Sequence, residues 1–274
     1  MVNPRSGKGA AIKTGRWLAE QLTARNIKHE MYTDIWPQQF EGFTEVWIIG
    51  GDGTMNYFVN TYRNIGLPLV AFKGGTGNDF CWKLYGDISL EKQFDLVLNA
   101  IPKPVDAITC NGKLYVNSLG IGFDGEVLQS MGTVRWLGGH LGYLWVVIKK
   151  IFSYKDPVFT ITCGDNILKE KFLLVIVNNS SRTGGGFMVT PEASVNDGLA
   201  DMVLCKPLSL LNRFRFLPVI EKGKHLDKPF IIFAQQSQTR IECEKELPAA
   251  LDGELIKGKL FEIKVLPGLL RFKY

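Results

Sequence analysis

Two short apolar runs, Val46 to Ile49 and Leu67 to Phe72, each break off at a glycine-rich turn: GGDGTMN from Gly50 and GGTGNDF from Gly74. The first turn leads into Met55, Phe58, Val59 and Tyr62. Further on, Phe94, Val97, Leu98 and Ile101 repeat that spacing, so both segments read as amphipathic helices. Short strand, tight turn and one-sided helix, in that order, build parallel strands joined by crossover helices. Residues 1–104 are therefore expected to form a Rossmann-like α/β domain with a parallel sheet. Only Met1 and Val2 precede Asn3-Pro4, so the start is expected to lack a few residues of a complete first strand.

A glycine-rich turn between a buried strand and a helix leaves backbone N–H groups at a positive helix N-terminus, a place where phosphate binds. A plain strand-to-helix turn is the competing reading. Two such turns at neighbouring strand ends favour the ligand, because they converge at the carboxyl edge of one sheet. A third element, NPRSGKG at residues 3–9, follows the first strand. It is no Walker motif, since Val2 and Gly9 stand where glycine and Ser or Thr are needed. A dinucleotide GxGxxG also fails, with Asn56 in the last glycine's place.

Past Pro102 and Pro104 the pattern changes to strand-sized pieces closed by turns at Asn111-Gly112 and Gly164-Asp165-Asn166. Residues 105–265 are expected to form a mostly antiparallel β-sandwich interrupted by helices over Val134 to Tyr154 and Leu208 to about Lys224. About 266–274 are expected to rejoin the first domain. A length of 274 residues agrees with two domains. Hydrophobic residues at 46% and charged residues at 22% describe an ordinary globular chain. A net charge of +5 without long basic runs argues against nucleic acid and leaves phosphates and anionic membranes as partners. Five scattered cysteines, with no CxxC pair, point to a reducing compartment rather than disulfides or zinc. Three histidines without metal or triad spacing, and no GxSxG, leave no basis for histidine chemistry or serine hydrolysis. The longest apolar stretches, such as Leu141 to Ile148, fall short of the roughly 20 residues that span a bilayer. With no signal peptide at the start, a cytoplasmic protein is expected.

NPRSGKG, GGDGTMN, GGTGNDF, PEASVNDGLADM and LDGE, in this order, resemble the diacylglycerol kinase catalytic-domain family, which includes sphingosine kinases and small bacterial lipid kinases. GGDGT alone also resembles NAD kinases and phosphofructokinases. The resemblance implies a nucleotide cleft between the two domains with ATP across the glycine loops, contacted by Asn3, Thr33, Gly50, Gly51, Asp52, Gly53, Thr54 and Thr76, with Asp79 beside the phosphates. Asp52 and Asp79 make sense there as Mg²⁺ ligands, water-mediated partners, or ribose and loop organisers, because bare carboxylates repel ATP. The resemblance makes Asp252 the base that takes the acceptor hydroxyl's proton, with Glu254 orienting it; read locally, Asp252-Gly253 is a hairpin turn. It also implies Mg²⁺ on the loop of Ser194, Asp197 and Leu199, against the competing reading of a solvated turn. Asp124, beside Glu126 in NSLGIGFDGEV, becomes a candidate for acceptor binding.

After GTGND the family often continues Phe-Ala-Arg, whereas this chain has Phe80-Cys81-Trp82 and then Lys83, a departure that bears on packing near the acceptor or nucleotide. From Val134 to Lys155, Trp136, Leu137, Leu141, Tyr143, Leu144, Trp145 and Val146 alternate with Arg135, Lys149, Lys150 and Lys155. Such a segment suits a bilayer surface or an acyl groove, with an amphipathic core helix as the alternative. The expectation is a peripheral, ATP- and Mg²⁺-dependent lipid kinase acting on diacylglycerol to give phosphatidic acid. Homodimerisation is left open. The rivals are an NAD kinase-like enzyme with a soluble acceptor and a non-catalytic nucleotide or lipid sensor.

Overall fold

A computed structural model describes residues 1–131 and 139–274, with side chains up to residue 131 and from residue 144 onward. A 3-10 turn at Ser6–Gly9 leads into α1 (Ala10–Ala24). Next come β1 (Val46–Gly50), α2 (Asp52–Thr61), β2 (Leu69–Lys73), α3 (Asp79–Tyr85) and α4 (Leu90–Asn99). β1 and β2 pair in parallel, and Val2 bridges Ile49 in the same sense. The helical spacing read from the sequence is that of α2 and α4, which bury Met55, Phe58, Val59, Phe94 and Val97 in one core, but Ile101, the last residue of the second spacing, lies past the end of α4 and is 80% exposed.

The remainder is mostly strand: β3 (Pro102–Cys110), β4 (Lys113–Tyr115), β5 (Ser118–Ile121), α5 (Phe123–Met131), α6 (Gly139–Ser153), β6 (Val158–Cys163), β7 (Asn166–Lys171) and β8 (Leu174–Asn178). β9 (Ala200–Cys205), α7 (Leu210–Glu221), β10 (Ile231–Gln236), β11 (Gln238–Leu251) and β12 (Glu254–Lys273) complete the chain. β3 with β4 and β6 with β7 form hairpins at the two turns that the sequence marks. The second domain is an antiparallel, β-sandwich-like unit. Of the proposed membrane segment, Arg135, Trp136 and Leu137 lie outside the described residues, as do the side chains of Leu141 and Tyr143. Among the described residues, no helix is long and apolar enough to cross a membrane.

β8 and β9 are buried along their whole length, and the reason is two-sided cover. Val175, Val177, Met202 and Leu204 face the core closed by β11 and β12. Leu174, Ile176, Val203 and Cys205 face α5, α6 and α7. A strand covered on both faces reads as a continuous apolar run, which is how LLVIV and ADMVLC appear in the sequence.

The long pair β11 and β12 ties the halves together. β11 pairs with β12, β5 and β6, while β12 continues past them to pair with β3 and, through Phe272 opposite Leu69, with β2 in parallel. Leu270 and Phe272 thereby enter the first domain's core, with the Phe272 ring 5.3 Å from that of Phe80. Phe272 is fully buried. Phe272→Ala is expected to cost about 3–5 kcal/mol in urea or thermal unfolding, as ring removal from a packed core does. Ile167→Ala, at a position 70% exposed, is expected to change stability by no more than about 0.5 kcal/mol.

Candidate active site

The three glycine-containing loops meet. Gly74 N donates to the Gly50 carbonyl at 2.9 Å, and a Cβ on Gly75 would stand 2.4 Å from the Gly51 Cα. Gly7, at φ +57°, packs so closely that its Cβ would fall 2.4 Å from the Gly74 carbonyl oxygen. Much of the glycine content thus serves loop-to-loop contact. Gly50 lies at the end of its strand behind the cleft, where a Cβ would strike Thr54. Gly53 instead faces the opposite domain, with Glu254 Oε1 3.4 Å from where its Cβ would be.

A cleft of about 1270 Å³ opens over these loops. Asn3, Thr33, Gly51, Asp52, Gly53, Thr54, Thr76 and Asp79 border it from the first domain, and Asp124, Asp252 and Glu254 from the second. Asn3 Nδ2 donates to Thr54 Oγ1 at 2.9 Å, linking the first loop to α2, and Thr33 Oγ1 donates to Asp34 Oδ2 at 3.0 Å. Gly50, Ser194, Asp197 and Leu199 do not border the cleft.

The two aspartates of the glycine loops are organisers of backbone. Asp52 accepts from Asp79 N at 3.2 Å and Phe80 N at 3.1 Å, capping α3 from another loop. Asp79 accepts from Gly185 N of the second domain at 2.7 Å. Burial raises both carboxyls above the usual range; Asp79, also facing the Asp52 charge, is pushed up to about 6 against the Gly185 amide and Arg182.

Asp252 sits in a two-residue hairpin between β11 and β12, at φ 47°, followed by Gly253 at φ 82°. Positive φ at both positions is a type I′ requirement, and Asp-Gly meets it. The hairpin reading and the site reading are one arrangement, because the turn folds the carboxylate back into the protein. Its Oδ1 accepts from Asn117 N at 3.0 Å and Ser118 N at 2.8 Å; its Oδ2 accepts from Val116 N at 2.8 Å and Asn56 Nδ2 at 3.4 Å. At 1% exposure, burial pushes this carboxyl up to about 6 against those donors. Glu254, two residues on, is exposed at the cleft wall.

Asp124, in the first turn of α5, borders the cleft, and burial pushes it up to about 6. Glu126 does not share its direction: it turns toward α6 and accepts from Lys150 Nζ at 2.9 Å. In the 191–202 loop, Asp197 Oδ1 accepts from Leu199 N at 3.0 Å and Ser194 Oγ pairs with Asn196 Oδ1 at 2.9 Å. Among the described residues, no three or more His, Cys, Asp or Glu side chains gather as metal ligands.

Sequence reasoning missed Asn56, Asn117, Arg182 and the Thr183–Gly185 turn. RTGGGF at 182–187 was the available signal, a further glycine run ahead of a buried phenylalanine. Asn56 was weighed only as a missing glycine, yet it donates to Leu114 O at 2.9 Å and reaches Asp252 from the other domain.

The family model of the diacylglycerol kinase catalytic domain matches residues 1–110, and that of the YegS C-terminal NAD kinase beta sandwich-like domain matches residues 117–273. A Shewanella frigidimarina protein named "Probable lipid kinase YegS-like" is 29% identical over 81% of this chain and 74% of its own. A Mycobacterium tuberculosis diacylglycerol kinase is 23% identical over 99% of this chain and 93% of its own. A crystal structure from Bacillus anthracis superposes with a TM-score of 0.82 at 25% identity, covering 100% of this chain and 93% of that one. Matched in two consecutive halves, the chain belongs to the diacylglycerol kinase-like lipid kinase family, in the form that joins this catalytic domain to a YegS-type sandwich.

Proposed function

We propose that this chain transfers the γ-phosphoryl group of ATP to the free hydroxyl of a diacylglycerol, giving phosphatidic acid. One observation carries the reading: the glycine loops of the first domain and the Asp252-Gly253 turn of the second border the same cleft. The triphosphate lies along Gly51 to Thr54 and Gly75 to Gly77, at the N-terminal end of α2, where helix dipole and backbone N–H groups favour anions. Asn3 and Thr76 add donors around it, and Thr33 borders the cleft. Mg²⁺ comes with ATP as part of that substrate and offsets phosphate charge. Asp252 takes the hydroxyl proton through Oδ2, whose contact with Asn56 is the long one, while Glu254 orients the hydroxyl and Asp124 binds the glycerol head. A Mg²⁺ on the Ser194, Asp197 and Leu199 loop belongs to this reading as a structural ion that takes no part in transfer.

An acyl-bearing acceptor is favoured over NAD by the cleft's apolar walls, formed by Leu128 and Met131 of α5 and by Ile35, Trp36 and Tyr57. In this reading the protein is cytoplasmic and docks peripherally. Trp145 and Phe152 are exposed on one face of α6, Phe152 meets Phe214 of α7 edge-to-face at 5.1 Å, exposed Lys149 lies on α6, exposed Leu211 and Arg215 lie on α7, and exposed Lys155 follows the end of α6.

Labelled ATP offered with diacylglycerol, a sphingoid base or NAD is expected to mark only the first; labelled NADP instead would establish the soluble-acceptor rival, and no product at all the sensor. Asp252→Asn is expected to lower kcat by about 10²–10⁴-fold while ATP affinity stays within about threefold, and unchanged turnover would remove the base assignment. Glu254→Gln is expected to cost less.

The pH dependence has a definite sign. A base must be unprotonated to accept, so kcat is expected to fall about tenfold per pH unit below the Asp252 midpoint of about 6, and to level off above it. A flat profile between pH 5 and pH 7 would contradict Asp252 as the base. In vesicle co-sedimentation, the protein is expected to pellet with anionic vesicles, and Trp145→Ser with Phe152→Ser to leave it in the supernatant.

A further inference from the structure

Behind the glycine turns, α3 and the loop after β8 are joined across the domain boundary. Lys83 Nζ donates to Ser181 Oγ at 2.8 Å and to the Ala193 carbonyl, and Gly185 N donates to Asp79. Between these contacts lies Arg182. Its guanidinium carbon stands 4.3 Å from the centre of the Trp82 ring, and its Nε is 3.4 Å from Asp79 Oδ1. The side chains are 18% and 3% exposed, so charge and ring attract with little screening by water. Neither Nε nor Oδ1 makes a hydrogen bond, although both atoms are shielded from solvent. Buried donors and acceptors in that condition mark a contact that a slight approach of the two loops completes.

These are the residues at which the chain departs from Phe-Ala-Arg: a ring stands at 82 in place of the guanidinium, and a guanidinium reaches Asp79 from the other domain. Both loops so joined line the cleft, through Thr76 and Gly77 on one side and Thr183 to Gly185 on the other. A Cβ on Gly77 or Gly185 would come 3.8 Å from the other's Cα, so the two glycines define how near the loops can come. We propose that Arg182 is a positioning residue: seated on Trp82, it draws the Thr183–Gly185 turn of the second domain against Asp79 and so sets the width of the nucleotide end of the cleft. Trp82 is its platform, not a contact of the reacting atoms. The inference rests on the nucleotide reading of that cleft.

The test titrates ATP with Mg²⁺ into the full chain by calorimetry and measures steady-state transfer to diacylglycerol. Arg182→Ala is expected to weaken ATP binding and raise its KM about tenfold, with kcat within about threefold, the pattern of a lost binding geometry rather than lost chemistry. Arg182→Lys is expected to stay weak, since an ammonium lacks the planar stack. Trp82→Ala, which removes the platform and keeps the guanidinium, is expected to raise the KM for ATP in the same direction, while Trp82→Phe, which keeps a ring under the guanidinium, is expected to recover most of the affinity. Wild-type KM in Arg182→Ala, or in Trp82→Ala, would overturn the proposal. Should Arg182→Ala not fold, Arg182→Lys is read in its place, and an unchanged KM there is equally decisive against it. No ATP binding by the unaltered chain would instead overturn the nucleotide reading itself, and the proposal with it.

Discussion

A buried carboxylate must find donors, and Asp252 finds them in a set that the rest of the cleft depends on. Three consecutive amides, Val116 to Ser118, bend around it, which fixes the link between β4 and β5 beneath the hairpin. The fourth donor, Asn56, belongs to α2 and also holds the Leu114 carbonyl. One acidic group therefore sets the height of the β11–β12 turn, the path of the chain before β5, and the distance of the first domain's helix from the second domain's sheet. Chemistry and architecture share the same atoms.

The same economy governs the glycine turns. Their small residues let three loops pack backbone to backbone, and the aspartates among them cap amides in neighbouring loops instead of pointing freely into the cleft. Asp52 holds the first amides of α3, and Asp79 holds the turn at Gly185. The first domain's cleft-facing edge is thus partly built by the second domain, which explains why a turn as distant in the chain as Thr183–Gly185 lines the cleft.

Local features of the fold were legible, and for local reasons. Helical spacing at Met55, Phe58 and Val59 reports a one-sided helix, and Asn111-Gly112 reports a tight turn, because each pattern is complete within a few residues. The return of the chain through Phe272 could be anticipated only coarsely, since nothing near Phe272 announces Leu69 as its neighbour. Most site residues sat in recognisable turns, so Asn3, Thr54, Asp79 and Asp252 were within reach. Asn56 and Arg182 were not: each acts through a partner far off in the chain, and Asn56 stands where a familiar pattern would put glycine. Gly50 shows the converse, a motif position whose glycine is required by Thr54 behind it and not by the cleft.

Four of the carboxyls that border the cleft, Asp52, Asp79, Asp124 and Asp252, look like an electrostatic contradiction if the cleft takes a triphosphate as proposed, and the hydrogen bonds resolve most of it. Asp52, Asp79 and Asp252 each accept from backbone amides, so part of their negative potential ends on N–H dipoles within the loops. By taking up those amides they fix the conformation of the turns, and the remaining N–H groups are left to face an anion. Burial raises all four, which lowers the charge of the empty cleft further as pH falls. Asp124 is the exception among them, with burial as its one cause of shift and no backbone amide opposing it. A carboxyl at the cleft wall with so little spent on the protein itself is the one best suited to meet a group that enters the cleft.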